Sequence, residues 1–190
     1  MISDHDRSGW FGASDTAIIM GNWKTKTFAK WWAQKLGLDN SHYTTRAMNA
    51  GTYYEHAILD FIGAPRRDYQ ILLPELLLRV NYDGDGPGQI YEVKTHKADK
   101  AFKVTKAYHQ QLQVQMFAKK KTEGCTPLAE IVAYALTEDD YRNFFNDIDP
   151  RRLKRYPAGY EPEFIEKYLR RLEHLAECLR KGVWPDENAG

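Results

Sequence analysis

The segment DGDGPGQIYEVK, which begins at Asp83, constrains the fold more than any other part of the chain. Its glycine-rich centre is typical of a tight turn, and the apolar runs on both sides are typical of strands. We therefore predict a β-hairpin that turns across Gly84–Gln89 and brings Asp83 close to Glu92. Because side chains alternate between the faces of a strand, Glu92 and Lys94 should point the same way and Val93 into the core.

These residue types can hold a divalent cation beside a phosphate. Mg²⁺ prefers oxygen ligands and retains several waters, so the Asp83 and Glu92 carboxylates with one backbone carbonyl are enough to anchor it. Val93 is the natural source of that carbonyl. Lys94 could orient or deprotonate the attacking water, or neutralise the pentacovalent phosphate, and the sequence leaves these roles open. The pattern predicts a metal-dependent nuclease that uses Mg²⁺, for which Mn²⁺ can substitute.

The composition limits the class of protein. The chain has 27 Lys and Arg residues against 26 acidic ones, so DNA binding would depend on a local basic patch. Cys125 and Cys178 form no CxxC pair, which argues against a zinc site, an iron–sulfur cluster and a disulfide scaffold. No apolar stretch approaches a membrane span, and the polar start is unlike a signal peptide. We expect one domain over residues 1–190 that works in the cytoplasm away from membranes.

The apolar pattern predicts an α/β fold, with a small mixed sheet flanked by helices. Strands are expected in the hairpin, whose first strand is Leu76–Tyr82, and at Glu130–Leu136. Ser14 should cap a short helix. Further helices are predicted at Thr27–Leu36, Thr44–Ile62, Ala107–Lys119 and Glu163–Arg180.

Two polar residues among apolar neighbours could join the site. Glu55 lies in the middle of a predicted helix, where a buried carboxylate is unfavourable unless it is paired or binds a metal. Gln111 shares a helix face with small apolar residues, so its amide needs a partner such as a metal-bound water, Lys94 or a DNA phosphate. An exposed glutamate and a satisfied structural amide are equally compatible with these positions. The other glutamines of that helix are expected to meet solvent or DNA: Gln110, Gln113 and Gln115.

Other residues could contact DNA. Arg7 and the hydroxyl of Ser14 could hold a terminal phosphate at a helix start, although a helix cap and a solvated arginine are the simpler interpretation. Trp31 and Trp32 could stack on bases, although at least one is expected in the core. Lysines at every third position could follow a phosphate backbone or form a solvated face: Lys97, Lys100, Lys103 and Lys106. A second basic group has no predicted role: Arg151, Arg152, Lys154 and Arg155.

Taken in chain order, these motifs resemble those of a known family. They are Arg7 with GAS ending at Ser14, YE at Tyr54–Glu55, DG at Asp83–Gly84, EVK at Glu92–Lys94, and Y-x-x-Q-x-Q with Tyr108, Gln111 and Gln113. The set is similar to that of the phage lambda exonuclease group, the YqaJ-like viral recombinases of the PD-(D/E)xK nuclease superfamily. The C-terminal EFIEKYLRRLEH is similar to the closing helix of that family. The resemblance implies a restriction-endonuclease-like PD-(D/E)xK core.

The resemblance also implies a metal site. Asp83, Glu92 and the Val93 carbonyl would bind Mg²⁺, with Glu55 nearby as a ligand of the metal or of a water. Lys94 would be the catalytic lysine.

The remaining implications concern the substrate and the biological setting. Gln111 would position the catalytic lysine or the nucleophilic water, and Arg7 with Ser14 would hold the 5′-phosphate of a DNA end. Such enzymes resect linear duplex DNA in the 5′→3′ direction, often as ring-shaped trimers, and work beside a strand-annealing protein in phage recombination. A phage or prophage protein acting on double-stranded DNA ends in the bacterial cytoplasm is therefore expected.

Several alternatives stay open. Tyr82 stands where the name of the motif expects a proline, which supplies no ligand. Asp85 competes with Asp83 as the metal aspartate, and Asp83 is preferred because it ends the strand before Gly84. One alternative is a PD-(D/E)xK endonuclease or nickase, which would not need the end-binding pair Arg7 and Ser14. Another is a catalytically silent DNA-binding relative, which would not need all the acidic and lysine residues of the motif.

The arginine of the end-binding pair gives a first prediction. Replacing Arg7 with alanine should chiefly erase any preference for a 5′-phosphorylated end, because the charge-assisted hydrogen bonds to that phosphate would be lost. Degradation rates of 5′-phosphorylated and 5′-hydroxyl linear duplexes check this. A variant that retains the wild-type preference would exclude the assigned role.

Overall fold

A six-stranded mixed sheet forms the centre of the computed structural model, which describes residues 8–39 and 45–186, without the side chains of 46–48. The strands are β1 Phe11–Gly12, β2 Arg66–Leu73, β3 Leu78–Gly86, β4 Gln89–Lys97, β5 Leu128–Leu136 and β6 Leu153–Ala158. The helices are α1 Thr16–Ile19, α2 Lys26–Lys35, α3 Arg46–Phe61, α4 Lys106–Glu123 and α5 Pro162–Lys181. The order β1-β3-β4-β5-β6, with β2 also paired to β3, confirms the predicted α/β class with a mixed sheet.

Strands β3 and β4 form the predicted hairpin with a shorter turn than expected. Their ladder extends to the pair Gly86–Gln89, so Pro87 and Gly88 alone make the turn. Gly88 has φ of 65°, a left-handed conformation that glycine adopts without steric strain. At the other end of the ladder, the Asp83 carboxylate accepts a hydrogen bond of 2.8 Å from the Val93 amide. This bond places Asp83 beside β4, as the hairpin prediction required.

One edge of β3 changes its neighbour along its length. Leu78 and Arg79 pair with β1, and Gly84–Gly86 pair with β4. Among residues 8–39 and 45–186, no strand pairs with this edge across residues 80–83. The sheet therefore opens beside Asp83. Helices α3 and α4 each contact β3 and β4, so a helix approaches this opening from each face of the sheet.

Helix α3 covers one face of the sheet. Its residues Tyr54, Ile58 and Leu59 are fully buried and pack in a cluster with Val93 and Tyr134 of the sheet. Since α3 carries Glu55 next to Tyr54, burial of the tyrosine fixes the position from which Glu55 projects.

The other face carries the larger core, to which α1, α2, α4 and α5 contribute. Trp31 and Trp32 of α2 belong to this core, with exposures of 6% and 0%. Their rings pack on Phe11 of β1. The expectation that one of them could stack on bases is therefore wrong for both tryptophans.

Three strands escaped the sequence analysis. Strand β1 has only two residues, and little of β2 or β6 is buried. Strand β2 begins with charged residues, and of its side chains only Ile71 and Leu73 are buried. Strand β6 lies at the sheet edge and has no buried residue. The apolar alternation that identifies a strand is therefore absent from β6 and weak in β2. Other boundaries agree within two residues, except that β3 extends to Gly86 rather than Tyr82, that α4 extends to Glu123, and that the predicted start at Thr44 lies outside the described residues.

Ser14 does not cap a helix, contrary to the prediction. It is exposed within a 3-10 turn, Ala13–Asp15, whose N-cap is Gly12, and α1 begins after Asp15. The Asp15 carboxylate instead accepts a hydrogen bond from the Gly12 amide (2.8 Å) and pairs with Lys35 at 2.7 Å. The acid therefore joins this turn to α2.

Among the helices of the described segments, none has the length and apolar composition needed to span a bilayer.

The close approach of α3 to β3 gives a stability prediction. A Cβ on Gly84 would lie 2.3 Å from Leu59 Cδ2 and 3.3 Å from Ala64 Cβ. We expect Gly84→Ala to lower the free energy of unfolding by about 1–2 kcal/mol because the core must shift to accept the methyl group. Urea unfolding measures the change. The matched control is Gly159→Ala, which meets no atom within 4 Å and should leave the unfolding midpoint within error of wild type. Equal stability of the two variants would contradict this account.

Candidate active site

Glu92 is the buried centre of the candidate site. Its side chain is 2% exposed, and three polar side chains of the described segments bond it. Oε1 accepts hydrogen bonds from Gln111 Nε2 (2.6 Å) and from Lys94 Nζ, and Oε2 accepts one from Gln115 Nε2 (2.5 Å). A buried carboxylate is stable when donors compensate its lost hydration, and these three donors do so.

Lys94 lies between this carboxylate and the ring of Tyr108. Its ammonium pairs with Glu92 and lies 5.2 Å from the centroid of the Tyr108 ring. Burial lowers the pKa of Lys94, but the charges of Glu92 and Asp83 outweigh burial and hold this pKa above its ordinary value. Lys94 is therefore a cation at neutral pH in this arrangement.

Asp83 and Glu55 bring two more carboxylates to the same place. Burial, followed by the charges of Glu92 and Glu55, raises the pKa of Asp83 well above its usual range. Burial, followed by the charges of Glu92 and Asp68, raises the pKa of Glu55 to about 7. Carboxylates that resist ionisation beside one another favour a bound cation, because its charge would relieve their repulsion.

The available donors fit a hard divalent cation. The Asp83, Glu55 and Glu92 carboxylates and the Val93 carbonyl are all oxygen ligands, which Mg²⁺ and Mn²⁺ prefer. A second acidic group adjoins them, since one ligand atom each of Glu55, His56 and Asp68 lie within 4.8 Å of one another. The sequence analysis did not identify this group, because Asp68 belongs to the unpredicted strand β2.

A cleft of about 480 Å³ lies between α3 and β4 and exposes part of this acidic cluster. Gly51 allows the close approach of the helix, because a Cβ there would lie 3.2 Å from Thr95 Oγ1. The cleft falls within the usual size range of small-molecule sites. It is lined by Gly51, Thr52, Glu55, Val93, Lys94, Thr95, His96, Lys97 and Tyr141.

Asp140 anchors the wall of the cleft that carries Tyr141. Asp140 is 1% exposed, accepts hydrogen bonds from the Thr137 amide (2.7 Å) and the Tyr54 hydroxyl (3.1 Å), and pairs with Arg152. Burial raises the pKa of Asp140, but the bonds from Arg152 and Thr137 outweigh burial and hold this pKa below its ordinary value. The wall is therefore fixed to α3 and to the start of β6.

Asp85 has a different environment from Asp83, although only Gly84 separates them. Its fully buried carboxylate accepts bonds from Arg66 Nε (2.8 Å) and Nη2 (2.6 Å) and from Lys119 Nζ (2.6 Å). Burial raises the pKa of Asp85, but Arg66 and Lys119 outweigh burial and lower this pKa. Because the two cations Arg66 and Lys119 together more than neutralise its charge, Asp85 is a poor ligand for a metal cation, and the geometry favours Asp83.

Helix α4 supplies the donors from a single face. Gln111 and Gln115 contact Glu92, and Lys119 contacts Asp85, at a spacing of four residues that aligns side chains on one face. The expectation that Gln110, Gln113 and Gln115 meet solvent or DNA is wrong, since their exposures are 6%, 0% and 0%. The signal that could have found Gln115 and Lys119 is their spacing from Gln111.

The predicted DNA contacts lie outside the acidic cluster. Lys97 is exposed at the end of β4, where it lines the cleft and lies 3.8 Å from Glu138, and Lys100 and Lys103 are exposed on the segment that follows. Ser14 is exposed in its 3-10 turn, and Arg7 lies outside the described residues. Their contact with DNA stays a prediction.

The second basic group of the sequence consists mainly of paired arginines. Arg151 pairs with Asp149 at 2.8 Å, and Arg155 pairs with Glu130. Together with the bond from Arg152 to Asp140, these pairs hold β6 and the segment before it. They therefore explain the group without a nucleic-acid ligand.

The fold is shared with exonucleases of known structure. An alkaline exonuclease from Laribacter hongkongensis, LHK-Exo, aligns with a TM-score of 0.69 at 20% identity, over 93% of this chain and 90% of that chain. Its complex with dAMP gives 0.69 at 19% identity, over 92% and 89%. A phage related exonuclease from Haemophilus somnus 129PT gives 0.61 at 14% identity, over 91% and 96%. No protein-family model and no curated protein matches the sequence. The chain thus has a nuclease fold, as predicted.

The contrast between the two aspartates gives a prediction about the metal-free protein. The pKa of Asp83 is raised in the folded chain, so ionisation of Asp83 destabilises the fold as the pH rises through that pKa. Asparagine cannot ionise, so Asp83→Asn should increase the free energy of unfolding at pH 7. Asp85 has a lowered pKa, so its contribution is present at neutral pH and lost on acidification. Asp85→Asn should cost about 3 kcal/mol at pH 7, because it leaves Lys119 poorly compensated.

Urea unfolding of both variants in EDTA, at pH 7 and at pH 3, measures these changes, because the contribution of Asp85 is lost only below its ordinary pKa. The deficit of Asp85→Asn should shrink at the lower pH, and so should the gain of Asp83→Asn. Effects of the opposite sign at pH 7 would reverse the assignment of the two aspartates.

Proposed function

We propose that the chain is a metal-dependent exonuclease that hydrolyses double-stranded DNA from its ends in the 5′→3′ direction. The observation that carries the proposal is the convergence of three carboxylates and an ammonium beside an open cleft: Glu55, Asp83, Glu92 and Lys94. The likeness of the fold to LHK-Exo and to a phage related exonuclease supports a nuclease. A nucleotide, dAMP, is bound by LHK-Exo, which is consistent with a nucleic-acid substrate here.

Asp83, Glu92 and the Val93 carbonyl would hold Mg²⁺, with Glu55 as a ligand of the metal or of a water. A bound Mg²⁺ would polarise the phosphodiester and lower the pKa of the attacking water. The residues themselves set the charge and position of the site. The hydrogen bond from the Val93 amide fixes Asp83 Oδ2, and the donors around Glu92 fix its carboxylate.

Lys94 would stabilise negative charge on the phosphate. The adjacent carboxylates favour its ammonium form, and a fixed cation near the reacting phosphate lowers the energy of a transition state that gains negative charge. Gln111 would position Lys94 or the attacking water, because its amide already holds the Glu92 oxygen that Lys94 contacts.

Direction and setting belong to the same proposal. Arg7 and Ser14 would bind the 5′-phosphate of an end, and Lys97, Lys100 and Lys103 would follow the backbone of the duplex. A strand-annealing protein as partner, assembly into a trimer, and phage-type recombination in the cytoplasm of a bacterial host complete the proposal. They are supported by the motif resemblance rather than by contacts within the chain.

The decisive experiment uses the purified chain with end-labelled duplex DNA. Linear duplex should be shortened from its 5′ ends in Mg²⁺ or Mn²⁺ and left intact in EDTA, whereas covalently closed circular duplex should stay uncut. Cleavage of the circle would favour the endonuclease or nickase, and binding without cleavage of either substrate would favour a silent relative.

Two lysine variants test the role that the proposal gives to the Lys94 ammonium. Lys94→Ala should reduce the cleavage rate at least about 100-fold while sparing duplex binding, because the cation acts on the reacting phosphate. Lys154→Ala is the control, since this lysine is exposed on β6 away from the cleft lining. Digestion by Lys94→Ala at the wild-type rate would show that the assigned role is wrong.

A further inference from the structure

Gln115 bridges the two strands that carry the candidate ligands, at the place where they part. Its side chain is fully buried, and its Nε2 donates to Glu92 Oε2 on β4 (2.5 Å) and to the Asn81 carbonyl on β3 (3.2 Å). The ladder between these strands ends at the pair Gly84–Tyr91, so no backbone pairing joins them at Asn81 among the described residues. The amide therefore supplies a connection that the sheet lacks.

The orientation of this amide is determined by its neighbours. Both partners of Nε2 are oxygen acceptors, so a flipped amide would place Oε1 against two acceptors and lose both bonds. The backbone is also fixed, because the Tyr82 hydroxyl donates to the Gln115 carbonyl at 2.8 Å. Tyr82 is the residue that stands in place of the proline of the motif, and here it has a structural role.

Packing alone does not explain a glutamine at this position. Within the described part of the chain, Gln115 Oε1 is buried and has no hydrogen-bond partner. An unsatisfied buried oxygen is unfavourable, and an apolar side chain such as Met would fill a similar volume without it. The donor group of the amide is thus the feature that the position uses.

We propose that Gln115 is a positioning residue for the metal-binding carboxylate of Glu92. It holds Oε2 from the core side, so the carboxylate cannot rotate and Oε1 stays directed towards Lys94 and Gln111. By bonding Asn81, two residues before Asp83, it also fixes the separation of the two acidic strands. This inference rests on the proposed metal-dependent function and extends it to a residue outside the motif set.

A pair of glutamines on one helix allows a matched test. Gln113 is as buried as Gln115, but it bonds the backbone at Gly159 (2.6 Å) and Glu161 (2.7 Å) and does not contact Glu92. We compare Gln115→Met with Gln113→Met in the full chain. Each variant removes an amide that is fully buried and makes at least two hydrogen bonds, so an effect on packing alone should be similar in both.

We measure Mn²⁺ binding in the absence of DNA, and electron paramagnetic resonance detects the ion that stays free. Gln115→Met should bind Mn²⁺ at least about 10-fold more weakly, since loss of a hydrogen bond that orients a metal ligand typically weakens binding 10–100-fold. Gln113→Met should bind with wild-type affinity. The metal concentration for half-maximal cleavage of linear duplex should rise only in Gln115→Met.

The outcomes separate this inference from the function on which it rests. Wild-type protein that binds no Mn²⁺ would overturn both. Wild-type affinity in Gln115→Met, or an equal loss in the two Met variants, would overturn only the role of Gln115. If Gln115→Met does not fold, Tyr82→Phe decides, because it keeps the ring and removes the hydroxyl that bonds the α4 backbone at Gln115 and Lys119. A weaker affinity of a few-fold is expected, and an unchanged affinity would contradict the inference.

Discussion

The burial of one carboxylate determines how the elements around the candidate site must be arranged. Glu92 has almost no contact with solvent, so its two oxygens need donors from within the protein. Strand β4 supplies Lys94, and α4 supplies Gln111 and Gln115 one turn apart. These bonds require α4 to lie along the sheet with one particular face inward. The same contact leaves the opposite side of β4 to α3 and to Glu55, so the acidic cluster can form at the opening between the strands.

Asp83 and Asp85 lie on one strand, but their different partners give Asp85 a structural role and leave Asp83 in the candidate site. Asp85 is neutralised by Arg66 and Lys119 and supports the fold. Asp83 meets other carboxylates, and its raised pKa shows that the folded chain holds it in an unfavourable state. Such a position persists when the rest of the structure determines it, and it is typical of sites that await a ligand. The bonds around Asp85 thus stabilise the fold, while Asp83, two positions earlier on the same strand, is held in an unfavourable environment.

The sequence predicted most where local rules decide the structure. The period of two along β4 and the turn at Pro87–Gly88 are local features, and they were enough to bring Asp83 and Glu92 together. It predicted less where a residue depends on elements far away in the chain. Ser14 looked like a helix cap, but Gly12 takes that position because the turn begins earlier. The spacing of Gln115 and Lys119 from Gln111 places them on one helix face, but their partners Glu92 and Asp85 could be assigned only once the sheet that α4 covers was known. Strand β6 is too exposed to show a strand pattern.

The anchoring of the wall of the cleft has a consequence for how such a chain can diversify. Asp140 ties the segment between β5 and β6 to Tyr54 and Arg152 from the inside. Phe145, on that segment, is 91% exposed. Substitution of the Phe145 side chain should therefore have little effect on folding. The segment is a place where lineages of this fold can acquire new preferences while the acidic cluster stays the same.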